Sequence, residues 1–119
     1  HQKGDEILKI AARVIDANCR SVDISARFGG DEFCVLMPHT DPESARRAGF
    51  RISNAFNEAF AALGIKHSFV SMSIGIAHWE LSAPSSCQEL VKHADEAMYQ
   101  AKTKGNSIVL YKNLDAKVA

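Results

Sequence analysis

Apolar positions follow two rhythms along the chain, and each change of rhythm marks an element. Between Asp5 and Cys19, Ile7, Ile10, Ala11 and Val14 recur at three- and four-residue intervals, the spacing that lines one face of an amphipathic helix. Two short apolar runs follow, Ile24 to Phe28 and Phe33 to Met37, with Gly29-Gly30-Asp31-Glu32 between them. This reads as a hairpin, because glycine enters the positive φ values of a tight turn without steric cost. Pro38 to Pro42 reads as a loop, and Thr40 with Glu43 has the spacing of a capping box. A second helix runs to about Leu63, with Ala48, Ile52, Ala55, Phe56, Ala59 and Leu63 facing inward. Val70, Met72, Ile74 and Ile76 alternate with Ser71, Ser73 and Gly75, a period of two that predicts a strand, closed by Trp79 and Glu80. Ser82 to Ser86 reads as a polar loop, and Ser86 with Glu89 offers a second capping box. Leu90, Ala94, Ala97, Met98 and Ala101 define a third helix, Gly105 stops it, and Ser107 to Tyr111 predicts a final strand. The scattered His39, His67, His78 and His93 read as loop, strand-end or surface residues, and Phe50, Phe56, Phe60 and Phe69 as core.

The predicted order is α-β-β-α-β-α-β, a single α/β domain over residues 1–119 with helices packed on a mixed sheet. A chain of 119 residues suffices for one core and not for two. Its 14 basic and 14 acidic residues cancel, so nothing implies a general attraction to nucleic acid or to an anionic membrane. An anionic ligand must then be held by a local cluster. Cys19, Cys34 and Cys87 have no metal-ligand spacing, which suits reduced thiols and a cytoplasmic domain. No apolar run is long enough to span a bilayer, although attachment to a membrane or sensor segment outside this stretch stays open.

The hairpin tip, Arg27-Phe28-Gly29-Gly30-Asp31-Glu32-Phe33, is the stretch richest in chemistry. Adjacent carboxylates raise the cost of each other's charge. A divalent cation would relieve that repulsion, and Mg²⁺ favours carboxylate oxygens together with substrate phosphates. A solvated turn whose Asp and Glu serve only solubility explains these residues equally well.

Resemblance separates the two readings. Gly29-Gly30-Asp31-Glu32-Phe33 is the GGDEF signature, and the chain resembles that family in three further ordered stretches. His1-Gln2-Lys3-Gly4-Asp5 resembles the end of its GHxxGD segment, Ser73-Ile74-Gly75 its SIG strand, and Ala94 to Lys102 its ADxAxYxAK helix. The resemblance implies a palm-like nucleotidyl-cyclase fold with a mixed, mainly antiparallel sheet. It also implies a diguanylate cyclase that works as a two-fold homodimer with one GTP on each half, assisted by Mg²⁺ or Mn²⁺. The 3′-hydroxyl of each GTP attacks the α-phosphate of the other, giving cyclic di-GMP and pyrophosphate. By matching position, Asp31 is a metal ligand and candidate base, Glu32 supports the metal site, and Gly29 and Gly30 let the nucleotide lie close to the hairpin. Asp5 matches the carboxylate that accepts from the guanine edge, and Lys102 the lysine at the phosphates. Apart from the resemblance, Asp5 reads as a helix N-terminal charge and Lys102 as a solvated helix charge.

Two departures from the family pattern stand out. The strand-helix segment expected before His1, with its metal-binding Asp, Phe-Lys pair and guanine-reading Asn, is not in this sequence, so the domain reads as incomplete at its N-terminus. In Lys104-Gly105-Asn106-Ser107, Asn106 stands where the family usually has a phosphate-binding arginine, and a neutral amide does not replace a guanidinium fork. Lys104 is a nearby cation that could compensate.

Arg20-Ser21-Val22-Asp23 ends five residues before Gly29 and resembles the family's RxxD product-inhibition site, with Arg51 matching the second arginine. As a bare pattern, RxxD is equally an ordinary surface ion pair. An active, product-inhibited cyclase is therefore expected. The alternative is a non-catalytic receptor for cyclic di-GMP or GTP, and a pure dimerisation module is a third reading that the intact acidic tip disfavours.

Overall fold

The computed structural model describes residues 2–64, 70–105 and 107–113, which group into two compact units. One lies within residues 1–40 and 50–71, the other within 41–49 and 72–119.

In the first unit, α1 (Gln2–Ala17) buries Ile10, Ala11, Val14 and Ile15, the apolar stripe expected of its periodicity. Asn18 ends the helix by donating its side-chain amide to the Val14 carbonyl at 2.8 Å. β1 (Ile24–Gly29) and β2 (Glu32–Leu36) pair antiparallel, with Arg27 opposite Phe33 and an irregularity before Gly29 meets Glu32. The Ser25 hydroxyl donates to Asp16 at 2.7 Å, tying the hairpin to α1. Ile24 and its cross-strand partner Leu36 are 61% and 55% exposed, and Phe28, within the irregularity, is 64% exposed. Residues 50–61 of α2 (Pro42–Ala61) contribute buried Ile52 and Phe56, and Phe56 stacks on Phe60 at 6.1 Å. Phe50, expected in the core, is exposed instead, because a residue two positions before Ile52 falls on the other side of the helix. Phe69 and His67 lie outside the described residues.

The second unit opens at the start of α2. The expected Thr40–Glu43 capping box is replaced by Asp41, whose Oδ1 accepts from the Ser44 backbone N–H at 2.6 Å. Pro42 occupies the first helical position, where its missing N–H costs nothing, and this makes Asp41 the cap. β3 (Ile74–Ile76) and β4 (Ile108–Leu110) pair parallel, Ile74 opposite Ile108. Residues 70–73 carry no strand despite their alternation; the paired segment is only as long as its three-residue partner. Among the described residues the four strands thus form one antiparallel and one parallel ladder.

α4 (Cys87–Lys104) is capped by Ser86, whose hydroxyl accepts from the Glu89 N–H as expected, and buries Ala97 and Ala101. The helix lies so close to β3 that a Cβ on Gly75 would strike the Ala94 carbonyl and the Met98 backbone. That close approach is a physical reason for glycine in Ser73-Ile74-Gly75. Trp79 and Glu80, expected to close a strand, begin a short helix, α3 (Trp79–Ser82), whose cap is the His78 ring accepting from the Glu80 N–H at 3.2 Å.

His93, expected at the surface, belongs to the interior. It is 7% exposed, stacks on Tyr111 with ring centroids 4.1 Å apart, and shares a hydrogen bond through Nδ1 with the hydroxyl of fully buried Ser82. Glu89 lies 3.7 Å from its Nε2. Ser82, expected in a polar loop, is the buried end of α3, and its carbonyl accepts from Asn113 at 3.3 Å.

Candidate active site

The β1–β2 turn is built from two glycines and two carboxylates. Gly29 sits at φ 131° and Gly30 at φ 52°, values that L side chains adopt only under strain. The space their Cβ atoms would take is open, so backbone conformation is what demands glycine here, and the bare backbone leaves room for a ligand. Arg27 holds the turn from one side, donating to the Gly30 carbonyl from Nε at 2.9 Å and Nη2 at 2.5 Å. Asp31 and Glu32 both stand exposed at the tip. Sequence reasoning assigned Arg27 no role. The available signal was its position three residues before Gly30 and opposite Phe33 in the hairpin register.

Asp5 stands exposed in the first turn of α1. It forms part of the wall of a cleft of about 350 Å³ between α1 and the hairpin, shared with Leu8, Lys9, Asp16, Arg27 and Phe33. A concave, partly apolar surface with a few convergent polar groups is the usual form of a small-molecule site. Among the described residues, no three His, Cys, Asp or Glu side chains converge as a metal cage. Mg²⁺ is commonly held by one or two carboxylates together with other oxygen ligands, and the exposed, adjacent Asp31 and Glu32 are donors of that kind. Burial raises the thiol pKa values of Cys19 and Cys34, and Asp23 and Asp16 add to the effect at Cys19. Neither thiol is thereby prepared as a nucleophile.

Arg20 and Asp23 are brought together. Arg20 Nη2 lies 2.7 Å from Asp23 Oδ1, its Nε donates to both carboxylate oxygens at 3.1 and 3.2 Å, and its backbone N–H reaches Oδ2 at 2.7 Å. Those bonds, the side-chain one first, hold the Asp23 carboxyl below the ordinary aspartate range. Nη2 also donates to the Pro38 carbonyl at 2.8 Å and the Thr40 hydroxyl at 2.6 Å. Thr40, twenty residues away in sequence, gave no sign of this partnership. Arg51 is exposed on α2 and makes no hydrogen bond or ion pair with Arg20, Asp23 or another described residue. Lys102 is exposed in the last turn of α4, in the second unit. Asn106 lies outside the described residues.

Helices on short strands, with an acidic glycine turn presented at a hairpin tip, make an α+β domain, and its structural neighbours are GGDEF domains, which have the palm-like cyclase fold. The family profile described as "Diguanylate cyclase, GGDEF domain" matches residues 1–107. The chain belongs to the GGDEF family. It is 32% identical over 114 residues to Diguanylate cyclase A of Treponema denticola, covering 95% of this chain and 30% of that protein. It is 36% identical over 114 residues to the response regulator PleD of Caulobacter vibrioides, covering 94% of this chain and 25% of PleD. The solved GGDEF domain of TpbB (YfiN) from Pseudomonas aeruginosa aligns with a TM-score of 0.70 at 32% identity, covering 94% of this chain and 66% of that one. The chain therefore spans less than a third of the length of these two curated relatives. Among the described residues no helix is long and apolar enough to cross a membrane.

Proposed function

We propose that this chain is the catalytic part of a diguanylate cyclase, condensing two GTP molecules into cyclic di-GMP as a homodimer. The observation that carries the reading is the intact tip: two exposed carboxylates beside two glycines in positive φ, steadied by Arg27. A bond forms between the 3′-oxygen of one GTP and the α-phosphorus of the other, the bond from that phosphorus to the bridging oxygen breaks, and pyrophosphate leaves. Asp31 is the candidate acceptor of the 3′-hydroxyl proton, and with Glu32 it would hold Mg²⁺ or Mn²⁺ at the phosphates. The cation, when bound, supplies charge stabilisation as negative charge moves onto the leaving oxygens. Asp5 would accept from the guanine edge and Lys102 would contact phosphate. These two roles rest on matching position, and for Asp5 also on its place in the α1–hairpin cleft.

Product inhibition through Arg20, Asp23 and Arg51 belongs to the same reading. It is supported by an Arg20 side chain that remains half exposed while firmly held. The same feature favours a second reading, a receptor that binds cyclic di-GMP without making it. Incubating the whole protein with GTP and Mg²⁺ and assaying cyclic di-GMP separates the two: synthesis supports the cyclase, and tight binding of cyclic di-GMP without synthesis supports the receptor.

A further inference from the structure

The cleft between α1 and the β1–β2 hairpin is lined by four charged residues, Asp5, Lys9, Asp16 and Arg27. Two of them are committed elsewhere. Asp16 accepts from the Ser25 hydroxyl, and Arg27 donates from Nε and Nη2 to the Gly30 carbonyl. The side chains of Asp5 and Lys9 make no hydrogen bond or ion pair with any of the described residues. Both residues are exposed, so the cleft offers a ligand one uncommitted acceptor and one uncommitted donor.

Asp5 and Lys9 stand four residues apart on α1, which puts them on one face with Cβ atoms about 5–6 Å apart. At that spacing an Asp and a Lys are able to pair with each other, and here they do not. Beside them the wall is apolar, with Leu8, Ala12 and Phe33, a surface suited to the face of an aromatic ring. The volume of about 350 Å³ lies within the roughly 300–1,000 Å³ of small-molecule pockets. A flat ligand whose edge sets donors beside an acceptor matches this pair. Guanine has such an edge: N1–H and the 2-amino group donate, and O6 next to N1 accepts. Adenine presents its N6 amino donor where guanine has O6, and an ammonium group has no acceptor to offer that amine.

We propose that Lys9 is a specificity-determining residue, donating from Nζ to O6 of the guanine whose N–H groups Asp5 accepts. The proposal rests on the reading of Asp5 as the guanine acceptor. Asp5 alone tests a base for donors; Lys9 adds a test for the acceptor beside them, and together they discriminate against adenine. Lysine and arginine reach guanine O6 or N7 in the commonest base-specific contact that proteins make with DNA. Lys9 touches the base and not the reacting phosphate, so it acts on nucleotide binding rather than on the chemical step.

The test is calorimetry of the whole protein with GTP and with 6-thio-GTP, in EDTA so that no turnover occurs, comparing wild type with Lys9→Met, Lys9→Arg and Asp5→Ala. 6-Thio-GTP keeps N1–H, the 2-amino group and the triphosphate, and replaces O6 with sulfur, a weak acceptor. Wild type should bind it more weakly than GTP. Lys9→Met keeps a long side chain and removes the donor. It should weaken GTP binding by roughly tenfold, the low end for a hydrogen bond to a charged group, and abolish the difference between the two nucleotides. Lys9→Arg, which keeps a charged donor, should stay within about threefold of wild type. An attraction of Lys9 to the triphosphate alone would weaken both nucleotides alike and leave their ratio unchanged. That result, unchanged GTP affinity in Lys9→Met, or equal weakening by Met and Arg overturns the role of Lys9. Asp5→Ala separates the two levels. Wild-type affinity in that variant overturns the guanine reading of the cleft itself, whereas weakened binding there alongside an unaffected Lys9→Met removes only the proposal for Lys9.

Discussion

One arginine at each end of the β1–β2 hairpin holds a loop by its carbonyls: Arg27 at the Gly30 tip, and Arg20 at the base through Pro38. Arg20 also pairs there with Asp23, a contact charged on both sides, so its pH dependence has a definite sign. Arg20 lowers the Asp23 pKa in the folded state. As pH falls, the unfolded carboxyl takes up its proton first, so the unfolded state binds more protons and stability declines. The contribution of the pair is full above the unfolded aspartate value and is lost as pH falls through the lower folded one. Asp41 and Glu89 shift the same way, Asp41 mainly through the Ser44 backbone N–H and Glu89 mainly through the Ser85 hydroxyl. Thermal melts from neutral pH downward should therefore hold steady until the carboxylate range and then fall, and Asp23→Asn should blunt that fall. His93 gives a residue-scale prediction of another kind. His93→Ala leaves the buried Ser82 hydroxyl without its ring partner and removes the stack on Tyr111. It should destabilise by about 2–4 kcal/mol in denaturant titrations, the range for breaking a buried polar contact together with its packing.

Among the elements, the contact between α4 and β3 tolerates the least change. A methyl group at Gly75 meets helix backbone, which cannot rotate away as a side chain would. Gly75→Ala should cost about 1–3 kcal/mol or more, the scale of overpacking, visible as a lower denaturant midpoint with little change in slope. The helices were the most legible elements in the sequence, because Ile10, Ala11 and Val14 in α1 and Ala97 and Ala101 in α4 repeat at helical spacing and are in fact buried. Strands were less legible. The alternation from Val70 to Ile76 overstated β3, since a strand extends only as far as it finds a partner, and β4 has three residues. His93 was hidden because a polar residue on a helix looks solvated until Ser82 and Tyr111, distant in sequence, are seen around it. Within the candidate site, the Gly29–Glu32 tip could be read directly from adjacent residues. The Pro38 and Thr40 contacts to Arg20 could not, because they join segments eighteen and twenty residues apart.

For the whole molecule, the apolar residues that the hairpin exposes, Ile24, Phe28 and Leu36, matter most to behaviour in solution, since all three are more than half exposed. A purified fragment of residues 1–119 should bind a hydrophobic dye and associate at high concentration.

The central claim is that the Asp31–Glu32 tip performs metal-assisted condensation of GTP. The most direct measurement is the initial rate of cyclic di-GMP formation by the whole protein and its Asp31→Ala variant, at saturating GTP and Mg²⁺, with melting temperatures recorded beside it. The account expects synthesis by the wild type and a loss on the order of a thousandfold or more in the variant, the scale of metal-assisted charge stabilisation. The melting temperature should be unchanged, since Asp31 is exposed and contributes to no core. Near-normal turnover by a folded Asp31→Ala protein, or no synthesis by the wild type, would contradict it.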